Sequence, residues 1–229
     1  MPRRRFDALF LDFYGTLVTG DREAVEATCA RIVDDLELPV TAADLAVAWG
    51  HRFFAAIETR NGDDFLTLFD CECVTLAETL VPWRRDIDPE PYARMLKAYW
   101  ADPPAAPHVR ETLETLDVPV CIVSNADTED VLSAVEKRGF RVDAIVTSED
   151  ARSYKPHDGI FRMALERMQV TPDRVLHAGD SLHSDVGGAG PLGLATCWVC
   201  YADRIMDLGN AIPTHKISSI RDLAAILSA

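Results

Sequence analysis

Positive charge is scarce in this chain. Lysine and arginine number 23 against 37 aspartate and glutamate, a formal net charge of −14 over 229 residues. That balance argues against a nucleic acid or an anionic membrane as partner. It also requires any site that handles an anion to gather its few cations locally. Long apolar runs are missing as well. The basic stretch Met1-Pro2-Arg3-Arg4-Arg5-Phe6 leads into no run long enough for a signal peptide or a membrane span, so a cytoplasmic protein is expected. The six cysteines lack zinc spacing. Cys71 and Cys73 are too close to share a tetrahedral site without further ligands, and Cys197 and Cys200 have no second Cys/His pair nearby. Reduced, buried thiols are expected for most of them, with a redox role for Cys197 and Cys200 as the alternative. Neither an internal repeat nor a low-complexity segment is present.

What remains is a globular composition, 48% apolar, with length for one or two domains and a sizeable core. The chain is organised around Ala8-Leu9-Phe10-Leu11-Asp12-Phe13-Tyr14-Gly15-Thr16-Leu17. Four apolar residues run into an aspartate and Gly15 breaks the pattern, as in a buried strand of a parallel sheet with a turn past its carboxyl end. Ligands of open parallel sheets sit at that end. Asp12 is therefore placed to attack an electrophile, as aspartyl-phosphate enzymes do. Capping a turn is its structural alternative.

The period then becomes helical. Val25, Cys29, Ile32 and Leu36 make one apolar face, and Leu45, Trp49, Phe53, Ala56 and Ile57 a second. Phe65, Leu68, Phe69, Val74 and Leu76 make a third. Pro89-Glu90-Pro91 opens a fourth helix through Tyr92, Met95, Leu96 and Tyr99. Pro103 to Pro107 reads as the return linker. From there strands and helices alternate, with strands at Val118–Val123, Ala144–Thr147, Arg174–Ala178 and Ala195–Val199. Such alternation predicts βαβ units and a parallel sheet with helices on both faces. The expected architecture is α/β: a Rossmann-like parallel sheet core (1–17 and 105–229) with an inserted all-helical cap domain (18–104).

Three more polar clusters fall at strand ends. Ser124-Asn125 offers a hydroxyl and a following helix start for an anion. Lys155, before Pro156, can neutralise a nucleophile and an anionic substrate. Gly179-Asp180-Ser181 with Asp185 adds two carboxylates to Asp12. Three acids at one pole repel unless a cation sits among them, and hard oxygen ligands of this kind suit Mg²⁺. Each cluster alone can be read as a cap, a turn or a surface charge. Their joint occurrence, in order, along one βα array is what points to a site.

With these residues the chain resembles the haloacid dehalogenase (HAD) superfamily of hydrolases. The resemblance covers about 1–17 and 105–229, with the helical segment where that family carries its helical cap. Its four motifs are matched by Asp12-x-Tyr14-Gly15-Thr16, by Ser124-Asn125, by Lys155-Pro156, and by Gly179-Asp180-Ser181 with Asp185, Gly188 and Ala189. The resemblance implies that Asp12 is the nucleophile, that Thr16 and Ser124 bind the transferred group, and that Lys155 orients it. It also implies that Asp12, the backbone carbonyl of Tyr14 and Asp180 hold Mg²⁺, with Asp185 supporting. Tyr14 and Asn125 are further expected beside the substrate.

One departure bears on the chemistry. Phosphatases of this family carry a second aspartate, a general acid/base, where this chain has Tyr14. A Tyr-Gly-Thr first motif is typical of the family's 2-haloacid dehalogenases, which use no metal. The fourth motif pulls the other way: Leu182 stands where dehalogenases have asparagine, and Asp180 resembles the metal-binding branch. A halide-binding arginine has no motif; Arg22, Arg31, Arg52 and Arg60 are the candidates. The expected activity is Mg²⁺-dependent hydrolysis of a small-molecule phosphate ester, with haloacid dehalogenation as runner-up and a non-catalytic HAD-fold protein as third. The expected partner is a small anionic substrate. Without the second aspartate, a proton for the leaving group has to come from His183, His51 or Glu58, or the leaving group has to need none. The cap is expected to move and to select the substrate.

Overall fold

The computed structural model describes residues 5–83, 87–201 and 209–228. The first four residues of the basic stretch lie outside that set. β1 (Ala8–Leu11) is followed by α1 (Asp21–Leu36), α2 (Ala42–Thr59), α3 (Leu68–Leu80), α4 (Glu90–Trp100) and α5 (Val109–Thr115). Then come β2 (Val120–Ser124), α6 (Thr128–Arg138), β3 (Ala144–Thr147), α7 (Ser148–Ala151) and α8 (Asp158–Met168). β4 (Val175–Gly179), a π turn (Leu182–Val186), α9 (Gly187–Ala189), β5 (Ala195–Val199), β6 (His215–Ile217) and α10 (Leu223–Ser228) close the chain.

The six strands form one parallel sheet in the order β3-β2-β1-β4-β5-β6. β1 is central, with Leu11 opposite Ile122 of β2 and Ala178 of β4. Its side chains alternate between faces. Leu9 and Leu11 join Ile122, Leu176, Val131 and Leu223 on one side. Ala8 and Phe10 join Val123, Ile160, Phe161 and Ala164 on the other. With a packed layer on each face, the strands carry the continuous apolar runs seen in the sequence.

Helices α1 to α4 pack around their own apolar cluster of Cys29, Ile32, Leu45, Trp49, Leu76, Leu96 and Trp100. Thr41 opens α2 with a capping box to Asp44, and the Trp49 indole donates to Thr75 across to α3. Several polar contacts join these helices to the sheet layers. The Asp127 carboxylate accepts from the first amides of α3, Leu68 at 2.6 Å and Phe69 at 3.0 Å, where a helix N-terminus favours negative charge. Lys97 of α4 pairs with Asp130 of α6 at 3.0 Å. Tyr154, from the loop after α7, is fully buried inside the helical cluster.

The six cysteines are free thiols, four of them buried. Among the described residues, no helix is long and apolar enough to cross a membrane.

Candidate active site

Parallel pairing brings the carboxyl ends of β1, β2 and β4 side by side, so Asp12, Ser124 and Asp180 meet although they are far apart in sequence. Lys155 enters from the loop before α8. Its Nζ donates to Asp12 Oδ1 at 2.7 Å, to Asp185 Oδ1 at 2.7 Å and to the Val123 carbonyl at 3.0 Å. All three ammonium protons are thus used. Only 3% of the residue is exposed. A lysine so buried keeps its charge because two carboxylates stand against it. Burial pushes its pKa down, but Asp12 and Asp185 more than reverse that.

The two carboxylates are not equivalent. Asp185 Oδ1 also accepts from His177 Nε2 at 3.0 Å, and Oδ2 from the Ser181 amide at 3.0 Å. Burial raises its pKa, yet Lys155 and His177 together hold it well below the usual carboxylate range. Asp12 has fewer donors: Lys155, and the Thr16 hydroxyl to Oδ2 at 2.9 Å. Burial drives its pKa up, and the charge of Asp185 adds to that rise against Lys155. One ammonium shared between two buried carboxylates leaves Asp12 short of positive charge.

Asp180 sits beside them. Asp12, Asp180 and Asp185 each offer an oxygen, and these oxygens lie within 4.8 Å of one another. Thr16 Oγ1 is 3.5 Å from Asp180 Oδ1, and the Trp198 indole donates to the Asp180 carbonyl at 2.9 Å. Gly15 is required twice. Its φ of +88° is one that L side chains rarely adopt, and a Cβ there would lie 2.3 Å from Asp180 Oδ2.

The second cluster divides its labour. The Ser124 hydroxyl is buried with no hydrogen-bond partner among the described residues, an unspent donor at the strand end. Asn125, expected beside the substrate, bonds the backbone of Lys155. Its Oδ1 accepts from the Lys155 amide at 2.7 Å and its Nδ2 donates to the Lys155 carbonyl at 3.0 Å. Tyr14 is likewise engaged within the protein. Its hydroxyl donates to the Trp100 carbonyl at 2.9 Å, and its ring packs between Phe13 and Tyr99. Burial, reinforced by Asp130, pushes its phenol far above the ordinary value, so the side chain holds its proton.

Of the suggested acids, His183 and Glu58 form one exposed pair at 2.6 Å, joining the π turn to the end of α2. His51 is exposed on α2. Arg22 and Arg31 are tied to Glu26 and Asp35 on the surface of α1. Arg52 and Arg60 line a cavity of about 240 Å³ between α2 and α3.

His177 was not singled out from sequence. It is a lone histidine in a strand, and its partner Asp185 lies in the turn beyond. The available signal was a polar residue within a run otherwise buried and apolar.

The model of the haloacid dehalogenase-like hydrolases matches residues 6–193. The (S)-2-haloacid dehalogenase 4A of Burkholderia cepacia is 28% identical over 230 residues, 96% of this chain and 94% of that one. The ribulose-1,5-bisphosphate 5-phosphatase of Halopiger xanaduensis is 32% identical over 108 residues, 43% of this chain. That match spans 45% of the phosphatase, under half of its length. A solved dehalogenase structure superposes with a TM-score of 0.76 at 25% identity, covering 98% of each chain.

Proposed function

The chain belongs to the haloacid dehalogenase-like hydrolases, and from that premise we propose that it is a Mg²⁺-dependent phosphatase acting on a small phosphate ester. The observation that carries this reading is the convergence of Asp12, Asp180 and Asp185 with Lys155 as the cation between two of them. A phosphate dianion entering such a site needs more positive charge than one ammonium supplies. The donor set is all carboxylate oxygen, the chemistry a hard divalent ion takes. Gly15 lets the Asp180 carboxylate come this close to the first-motif backbone, since a Cβ there would lie 2.3 Å from Asp180 Oδ2. Asp12, Asp180 and the Tyr14 carbonyl would hold the ion, with Asp185 behind them. When bound, Mg²⁺ supplies charge neutralisation and orients the phosphoryl group.

The chain's own residues do the rest. One carboxylate oxygen of Asp12 attacks phosphorus, forming an O–P bond as the ester O–P bond breaks. The Thr16 hydroxyl keeps Asp12 aligned. The Ser124 hydroxyl donates to a phosphoryl oxygen, a partner it lacks among the described residues. Lys155 holds Asp12 in its anionic form until attack. Water then attacks phosphorus and releases Asp12 and inorganic phosphate. Tyr14 contributes its backbone and not its proton, so leaving groups that depart without protonation are favoured. The segment 18–104 serves as the mobile lid that selects the substrate.

Haloacid dehalogenation is the second reading. It is favoured by Tyr14 in the first motif and by the full-length match to the Burkholderia enzyme. The two separate on one assay. Turnover of p-nitrophenyl phosphate should stop with EDTA and return with Mg²⁺. Full activity on (S)-2-chloropropionate in excess EDTA would put the dehalogenase first.

A further inference from the structure

The loop carrying Lys155 is stitched to the helical insert at Arg152, Tyr154 and His157. The Gly62 amide donates to the Arg152 carbonyl at 2.8 Å, and Arg152 Nε returns to the Gly62 carbonyl at 3.1 Å. The Tyr154 amide donates to Asn61 Oδ1 at 2.7 Å, and the Tyr154 hydroxyl to the Leu66 carbonyl at 2.9 Å. Farther on, His157 Nε2 lies 2.9 Å from the Glu58 carbonyl. Two asparagines therefore hold two consecutive amides. Asn125, from the sheet layer, takes that of Lys155, and Asn61, from the insert, takes that of Tyr154. Asn61 Nδ2 is committed as well, to the Ile57 and Glu58 carbonyls at the end of α2. It therefore ties the end of α2 directly to the Lys155 loop.

We infer that Asn61 is a positioning residue for the reaction, acting through Tyr154 to hold Lys155 against Asp12 and Asp185. Asn125 holds the Lys155 backbone from the sheet layer and Asn61 holds its neighbour from the insert, so docking of the 58–66 segment completes the seat of the lysine. This rests on the reading that Lys155 belongs to the catalytic machinery. A specific kinetic signature follows. All three Lys155 protons face Asp12, Asp185 and Val123, so a displaced lysine acts more on the nucleophile than on ground-state substrate binding. Misplacement of a reacting group by about 1 Å costs roughly 10²-fold.

The test compares Asn61→Ala and Asn61→Asp with wild type in the full chain. Asp keeps an acceptor for Tyr154 and loses the amide donors to α2. Three quantities are read: Tyr154 amide exchange by NMR, the thermal midpoint, and kcat and KM. Kinetics are run on p-nitrophenyl phosphate with Mg²⁺ and on (S)-2-chloropropionate in EDTA. In Asn61→Ala, Tyr154 exchange should quicken by about tenfold or more, from the lost hydrogen bond. Its kcat should fall by about 10- to 100-fold with KM within about threefold, and Asn61→Asp should recover most of both. The inference is overturned if kcat of Asn61→Ala stays within about twofold of wild type, or if Asn61→Asp is as impaired as Asn61→Ala. The latter outcome would assign the role to the α2 end. Turnover of the haloacid alone would remove the phosphatase reading and leave the inference to be decided on that substrate. If neither substrate turns over, exchange decides it, with unchanged Tyr154 protection in Asn61→Ala counting against.

Discussion

Lys155→Met keeps the length of the side chain and removes the charge from the centre of the site. Asp12 then retains only the Thr16 hydroxyl as a side-chain donor, and Asp185 retains His177 and the Ser181 amide. Breaking a buried ion pair from one side costs about 3–5 kcal/mol, because the remaining charge is left uncompensated. For a chain of this size each kcal/mol lowers the midpoint by about 2–4 °C, so a loss of about 6–20 °C is expected. The loss should depend on pH with a definite sign. In the wild type, the depressed pKa of Asp185 contributes stability above the unfolded carboxylate range, and that contribution fades as pH falls toward the folded value. Without Lys155, both carboxylates bind protons more tightly in the folded state, and protonation relieves their repulsion. The deficit should therefore be larger at pH 8 than at pH 5. Thermal unfolding in EDTA, at both pH values, measures it. Asp185→Asn should partly rescue Lys155→Met, since the two changes share one interaction. A midpoint within about 3 °C of wild type at pH 8, or an equal loss at both pH values, would refute this account of Lys155 as the shared counter-charge.

Ser124→Ala removes an unpartnered buried hydroxyl, so stability should stay within about 0.5 kcal/mol or rise slightly, while kcat falls about 10²–10³-fold; denaturant titration and turnover measure the pair, and a large stability loss with normal kcat would contradict the assignment. Tyr14→Phe gives up one hydrogen bond to Trp100, worth about 0.5–1.5 kcal/mol, and should retain turnover within about threefold; loss of a general acid would instead cost roughly 10²–10⁴-fold. Glu72 is buried on α3, and burial, with Asp21 adding to it, holds its pKa well above 4.5. A carboxyl raised in this way contributes stability at low pH that is lost as pH rises through the folded value. Glu72→Gln should therefore stabilise by on the order of 1–3 kcal/mol at pH 8 and by little at pH 4; equal effects in denaturant titrations at both would sink that reading.

Local signals determined much of this molecule. Five apolar runs marked β1 to β5. Spacing of three and four residues marked α1 to α4, and the motif residues Asp12, Ser124 and Asp180 lay at strand ends where a parallel sheet gathers its ligands, with Lys155 and Asp185 in the loops beyond. These features were legible because period and punctuation are written within a few residues. The short elements were not: α5 and the three-residue β6 carry too few turns or alternations to show a period. Tertiary structure alone decided which strands are neighbours, with β1 between β2 and β4, and so how Asp12 meets Asp180, 168 positions further along the chain. It also decided where each polar side chain spends its hydrogen bonds. Tyr14 and Asn125 stand in motif positions, yet one reaches Trp100 and the other Lys155. His177 and Asn61 stand in no motif, yet one holds Asp185 and the other the Lys155 loop. A side chain's partner is set by what the fold brings within about 3 Å of it, and nothing in its immediate sequence records that.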